Sequence, residues 1–234
     1  MTKDEIIKKI RKKGYWEVNI HPAVYNANLL PKEKTEVLIK DSVVELRGWD
    51  YPHIGTNSRM MSGVESITDW EHYVEFWKMT TSGNFYHTFA IREDWIEYGA
   101  DRNMWSNENL SGKKLLGAFS TLYTLTEIYE FARRLVTQMN LSNNVVIDIK
   151  LFDLKDRRLH IDSYNRTPFF SPRIATTVEP WSNDKKEISL SDILEKSSEL
   201  ALNDYLSLIY LFEWDNPPID NLRDTQKKFL EGRI

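Results

Sequence analysis

The sequence predicts an α+β fold, in which an antiparallel or mixed sheet built from two hairpins and N-terminal strands packs with about four helices. Residues 72–91 alternate in polarity on both sides of a turn at Gly83, which is the pattern of a β-hairpin. Residues 120–139 carry apolar side chains at helical spacing. Because strands and helices do not alternate regularly, a doubly wound parallel sheet is not favoured.

The N-terminal third begins with a basic helix predicted at residues 3–13, whose three isoleucines share one side and which ends at Gly14. A strand is expected at 15–20. A short helical or turn segment at 31–40 then leads into a strand at 43–47. This strand delivers the loop RGWDYPHIG.

The middle of the chain contains two predicted hairpins with one long helix between them. The first, at 72–91, carries aromatic residues on both faces and should be covered on both sides. The polar stretch 97–114 is expected to be a long loop that acts as a lid or a partner surface. Residues 145–152 and 158–164 are expected to pair as the second hairpin.

The C-terminal part is predicted to be irregular at 167–187 and helical over 190–232. Ser189 and Asp192 resemble a capping box at the start of the helical region. A break is expected near Ser197, and Pro217 should stop the helix before a last amphipathic one.

Composition indicates a single domain over residues 1–234, because 41% hydrophobic residues are enough for a sizeable core. The absence of cysteine excludes disulfides, thiolate metal sites and a cysteine nucleophile. A net charge of -4 identifies no partner. The charged N-terminus and the lack of a long apolar segment predict a cytoplasmic protein with no membrane contact.

Common catalytic signatures are absent from the sequence. Its nine glycines form neither a phosphate-binding loop nor a dinucleotide fingerprint, and no paired-histidine zinc motif occurs. His53, His72 and His87 could together bind a metal, but nothing in their spacing requires one. No cofactor is therefore predicted.

The segment VVIDIKLF places Asp148 and Lys150 on one face of a predicted strand. This resembles the second half of the PD-(D/E)xK nuclease signature. The resemblance implies a metal-dependent phosphodiesterase or nuclease, in which carboxylates hold a divalent metal that activates water. His160 and Asp162 could join such a site. The preceding aspartate of the signature has no clear match, and a predicted hairpin follows the strand instead of a helix.

The same alternation also predicts an ordinary surface. In that interpretation the apolar residues of 145–152 face the core. Asp148 and Lys150 then oppose Arg158, His160 and Asp162 across the hairpin as charge pairs.

The strand-end loop places Arg47, Trp49, Asp50, Tyr51 and His53 close together. Arginine could bind an anion through two hydrogen bonds, the aromatic rings could stack on a planar ligand, and aspartate or histidine could move a proton. An enzyme acting on a small anionic substrate is one possibility. The alternative is a structural loop in which tryptophan is a plug and arginine pairs with aspartate.

The basic side chains of the N-terminal helix could contact nucleic acid. Lys8, Lys9, Lys12 and Lys13 would neutralise phosphates. Because Asp4 interrupts the basic run and the chain as a whole is acidic, a solvated helix face is the favoured alternative.

These patterns together favour a noncatalytic binding or assembly protein that recognises an anionic or planar ligand, or a protein partner or a second copy of the chain. Aromatic residues predicted in loops are expected to be exposed and support an interface. They are Trp49, Tyr51, Trp95, Trp105, Trp181 and Trp214.

Overall fold

The computed structural model describes residues 2–96, 112–163 and 165–233. Most of the loop predicted at 97–114, together with Trp105, lies outside the described residues.

Five α-helices occur in the described part of the chain. They are α1 (Lys3–Ile10), α2 (Thr35–Ser42), α3 (Ala118–Met139), α4 (Leu190–Tyr210) and α5 (Ile219–Leu230). Short 3₁₀ segments lie at Lys32–Lys34 and Arg92–Trp95. None of the described helices combines the length and the apolar composition that crossing a bilayer requires.

The strands of the described residues form one large sheet and two small ones. In chain order they are β1 (Tyr15–Pro22), β2 (Val44–Glu45), β3 (Asp50–Tyr51), β4 (Thr56–Met60), β5 (Gly63–Trp70), β6 (Tyr73–Thr80), β7 (Phe85–Ala90), β8 (Leu115–Gly117), β9 (Val145–Phe152), β10 (Arg158–His160), β11 (Arg173–Ile174), β12 (Trp181–Ser182) and β13 (Lys186–Ile188). The large sheet has the order β12-β9-β1-β7-β6-β5-β4, and β13 also pairs with β9. All its pairings are antiparallel, so the predicted α+β class is confirmed.

The first predicted hairpin is formed by β6 and β7, and both of its faces are covered. Gly83 takes the positive φ of 77° that the turn needs. On one face Phe76 packs with Ile6 and Ile10 of α1. On the other, Phe85 lies 4.6 Å from Phe131 of α3, measured between ring centroids. The central position of this hairpin follows from its two apolar faces.

The second predicted hairpin is wrong. Strand β9 pairs with β1 over eight residues, for example Ile149 with Val18, and with β12 and β13 on its other edge. Strand β10 instead pairs in parallel with β8 and antiparallel with β11. Strand β1 offers β9 a long partner whose alternate residues are buried, whereas β10 offers three residues. Strand β9 therefore pairs with β1, the partner that offers the larger buried surface.

Two of the longer strands, β4 and β5, are missing from the sequence-based prediction, as are the short strands β3, β8, β11, β12 and β13. The core side of β5 carries Val64, Ser66 and Thr68, all buried, while Ile67 lies on its other side. Buried hydroxyl residues cancel the alternation of polarity by which strands are recognised. Strand β4 is an edge strand with no buried residue.

The helical predictions are confirmed in type and closely in position. Helix α3 occupies the predicted 120–139 region, and Glu130 pairs with Arg134 at 2.9 Å. In α4, Ser189 accepts the cap hydrogen bond of Asp192 at 3.1 Å, and the helix is kinked at Lys196, next to the predicted break.

Candidate functional site

A cavity of about 370 Å³ lies between the first turns of α3, the ends of β6 and β7, and the loop joining β2 to β3. Of the predicted loop residues, Arg47, Trp49, Asp50 and Tyr51 line it, whereas His53 is not among the described lining residues. We call this space the α3 cavity.

The α3 cavity also brings in two residues of the alternative nuclease prediction. His160 and Asp162 line it. Asp148 and Lys150 do not: they lie on β9 with 3.5 Å between Oδ2 and Nζ. The four side chains therefore do not line one site in the described structure. In addition, the described residues contain no group of three or more histidine, aspartate or glutamate side chains arranged to hold a metal ion.

Arg47 is committed to α3. Its Nε donates to Glu127 Oε1 at 3.1 Å, and its Nη2 donates to Glu127 Oε2 at 2.6 Å and to Thr124 Oγ1 at 2.9 Å. Burial raises the pKa of Glu127, and the guanidinium opposes this shift. The fork expected to bind an anion is thus occupied by a carboxylate of the protein.

The other residues of this loop contact one another. Asp50 accepts from the backbone N–H of Ile54 at 3.1 Å and from His53 Nδ1. Trp49 stacks on His53 at 4.2 Å and on Tyr73 at 3.9 Å between ring centroids. The loop therefore contributes an aromatic wall and a self-contained polar pair.

Besides Nε2 of the half-buried His160, the polar atoms of the α3 cavity without a hydrogen-bond partner among the described residues belong to Tyr51 and Glu75. Tyr51 and Glu75 are each 6% exposed. Glu75 Oε2 lies 2.8 Å from His87 Nε2, but Glu75 Oε1 and the Tyr51 hydroxyl have no hydrogen-bond partner among the described residues. Burial, followed by the charges of Glu75 and Glu127, raises the pKa of Tyr51 well above its ordinary value. The phenol is thus a neutral hydroxyl.

Two further carboxylates sit at the N-terminus of α3. Asp162 accepts from the backbone N–H groups of Phe119 at 2.7 Å and Ser120 at 2.8 Å, and Glu93 accepts from that of Gly117 at 2.9 Å. A Cβ on Gly117 would lie 2.8 Å from Glu93 Oε1 and closer still to Asp162, so glycine allows both carboxylates to approach. Burial and the charge of Asp162 raise the pKa of Glu93.

The predicted histidine cluster does not form. Nδ1 of His53 bonds Asp50, Nδ1 of His72 lies 3.1 Å from the carbonyl oxygen of Trp95, and His87 bonds Glu75. Each ring therefore serves a separate local contact.

The four lysines predicted to contact nucleic acid, two on α1 and two directly after it, line a shallow groove beside Trp95. Lys9 Nζ is 2.5 Å from Asp69, and Lys13 Nζ donates to the carbonyl oxygen of Asp94 at 2.6 Å. Lys8 and Lys12 are exposed. Nucleic-acid contact by this groove stays a prediction, with two of its four lysines already engaged.

The expectation that loop aromatics are exposed is wrong for the residues that are described. Tyr51 is 6% and Trp181 is 5% exposed. Trp49, Trp95 and Trp214 are half-buried. Trp70, which the sequence did not single out, is 56% exposed and meets Trp49 edge to face. Hydrophobic burial favours packing these large rings.

Sequence reasoning did not find Glu75, Glu93 or Glu127. They come from β6, a 3₁₀ segment and α3, which meet only in the folded chain. One signal existed for Glu75, since it interrupts the aromatic strand YVEFWKM. An ionisable residue inside a strand covered on both faces is expensive to bury without a purpose.

Comparison with protein-family models, with curated proteins and with solved structures gives no match to this chain.

Proposed function

We propose that this protein is a noncatalytic binding protein whose α3 cavity holds a small ligand bearing hydrogen-bond donors. The proposal rests on Tyr51 and Glu75, the two buried residues that line the cavity and each retain an oxygen without a partner among the described residues.

Leaving a buried polar group without a partner costs about 1–3 kcal/mol, and more for a charged one. Such groups are usually satisfied by protein, water or ligand. A pair of them beside a cavity of small-ligand size, walled by aromatic rings, is typical of a site that orients a ligand through a few polar contacts.

The contacts of Arg47 support a donor-bearing ligand over an anion. Its Nε and Nη2 both donate to Glu127, so binding an anion there would require breaking a pair that neutralises a buried carboxylate. A protein partner or self-association stays a separate prediction, since the described aromatics that suggested it are buried or half-buried.

The test is a screen of small planar fragments by thermal shift, with hits verified by ligand-observed NMR. Thr121 lines the cavity and is 3% exposed, so Thr121→Phe should fill the cavity and abolish binding of the hits. Thr137→Phe makes the same substitution at an exposed position of α3 and should preserve binding.

If Thr121→Phe does not fold, Thr121→Leu fills part of the same space. A supporting hit binds the wild type and the Thr137→Phe variant and is weakened by the substitution at Thr121. The proposal fails if the screen yields no such hit.

A further inference from the structure

We infer that the ligand of the α3 cavity is a planar cation, such as an aryl amidine, an aryl guanidine or a protonated amino-heterocycle. This inference rests on the proposed function and adds the chemical class of the ligand.

The charge of the cavity lining favours a cation. Among the described lining residues five are carboxylates and two are guanidinium groups. Arg47 is neutralised by Glu127, and the oxygens of Asp162 are held by backbone N–H groups. Glu75 keeps one uncommitted carboxylate oxygen, Oε1, which is the natural counter-ion for a ligand.

The aromatic wall already carries a planar cation. The guanidinium carbon of Arg92 lies 5.2 Å from the centroid of the Tyr73 ring, and Tyr73 itself stacks on Trp49. Cations are attracted to the faces of tyrosine and tryptophan rings within about 6 Å of the centroid. Because Trp49 is stacked between His53 and Tyr73, and Tyr73 lies between Trp49 and Arg92, a flat cation would bind here by displacing the exposed Arg92 side chain.

The two unpartnered oxygens determine which arrangement of hydrogen-bond donors the ligand should carry. An amidinium presents two N–H groups in one plane, which suits one ionised acceptor and one neutral acceptor. Glu75 Oε1 would supply the first and the Tyr51 hydroxyl the second once the side chains that cover them move aside, because neither atom is accessible to solvent. Because both atoms are shielded from bulk water, a charge-assisted hydrogen bond there would be strong.

Benzamidine, benzamide and benzoate have nearly the same shape but different charges, so comparing their affinities separates the effect of charge from that of shape. Their affinities are measured by calorimetry and ligand-observed NMR at about pH 7, where they are respectively a cation, neutral and an anion. We expect benzamidine to bind at least about tenfold more tightly than benzamide, and benzoate not to bind.

Glu75→Gln keeps an acceptor for His87 and removes the negative charge. It should weaken benzamidine at least about tenfold and leave benzamide nearly unchanged. Glu33→Gln removes one charge from an exposed residue outside the lining and should leave both affinities unchanged. If Glu75→Gln does not fold, the order of the three affinities for the wild type still tests the inference.

Each other outcome has a distinct meaning. If benzamide or benzoate binds as well as benzamidine and Thr121→Phe abolishes that binding, the inferred cation is wrong while the binding function stands. If benzamidine shows no binding at millimolar concentration, or if its affinity is the same in Glu75→Gln, the inference is overturned. The fragment screen then decides the binding function separately.

Discussion

Arg47 and Glu127 form an ion pair through two hydrogen bonds, although they lie 80 residues apart in the chain. The pair ties the loop between β2 and β3 to α3 and closes one side of the α3 cavity. The Glu127 side chain is 2% exposed and that of Arg47 30% exposed. A carboxylate buried to this degree depends on its partner.

Removing the cation of this pair should destabilise the protein. Arg47→Met keeps the aliphatic stem and leaves Glu127 buried without its counter-charge. We expect a loss of about 2–4 kcal/mol in the free energy of unfolding, less than for a fully buried pair because Arg47 is partly exposed to solvent. Urea denaturation measures the loss.

The matched control is Arg223→Met, which breaks a pair with Asp220 whose side chains are 61% and 100% exposed. It should cost little. In the double variant with Glu127→Gln, the cost of Arg47→Met should shrink because the buried charge is gone. Equal losses from Arg47→Met and Arg223→Met would show that the pair has no special role.

Asp162 should act as a capping residue for α3 from a distant part of the chain. Its carboxylate accepts from the N–H groups of Phe119 and Ser120, while Gly117 at the N-cap position has no side chain to do so. Asp162→Ala should cost about 1–2 kcal/mol, and Asp162→Asn less. Hydrogen exchange of the first turn of α3 should accelerate in the alanine variant.

Asp215→Ala alters an exposed aspartate and should leave both measurements unchanged. Unchanged exchange in the first turn of α3 in Asp162→Ala would contradict the capping role.

Local patterns predicted the elements of this fold that are recognisable on their own. Helix α3 and the hairpin of β6 and β7 follow from periodicity within about 20 residues. The pairing of β9 did not, because β1 and β10 both offered an alternating edge and only the buried area of the assembled sheet favours β1. Strand β5 was missed because Ser66 and Thr68 face the core.

The candidate site was predictable only where one segment supplies several of its residues. The loop from Arg47 to Tyr51 does so, and four of its residues line the cavity. Its chemistry depends on Glu75 and Glu127, which lie elsewhere in the sequence. The local sequence shows the guanidinium of Arg47 but not the carboxylate that occupies it.

Ile10 should, together with Ile6, anchor α1 on the outer face of the sheet. It is fully buried and packs with Phe76, Val74 and Ala90. Ile10→Ala should cost about 2–4 kcal/mol in urea denaturation through the cavity it leaves. Lys12→Ala, at an exposed position next to the helix, should cost almost nothing. A loss below about 1 kcal/mol for Ile10→Ala would indicate that α1 is only loosely docked.

Glu93 should make stability depend on pH in mildly acidic solution. Burial, followed by the charge of Asp162, raises its pKa above the ordinary value of 4.5. The folded protein therefore holds this proton more tightly than the unfolded chain. The resulting stabilisation is complete below the ordinary value and is lost as the pH rises through the raised value.

Glu93→Gln removes this titration and keeps an oxygen that can accept from Gly117. The stability of the variant relative to the wild type should therefore increase as the pH is raised from about 4 to about 7. Urea denaturation at constant ionic strength gives the difference at each pH. Glu33→Gln, at an exposed glutamate, should show almost no trend. If the free energy of unfolding of Glu93→Gln relative to the wild type stays flat or falls over this range, the folded state does not favour the protonated acid. A raised pKa requires the opposite slope.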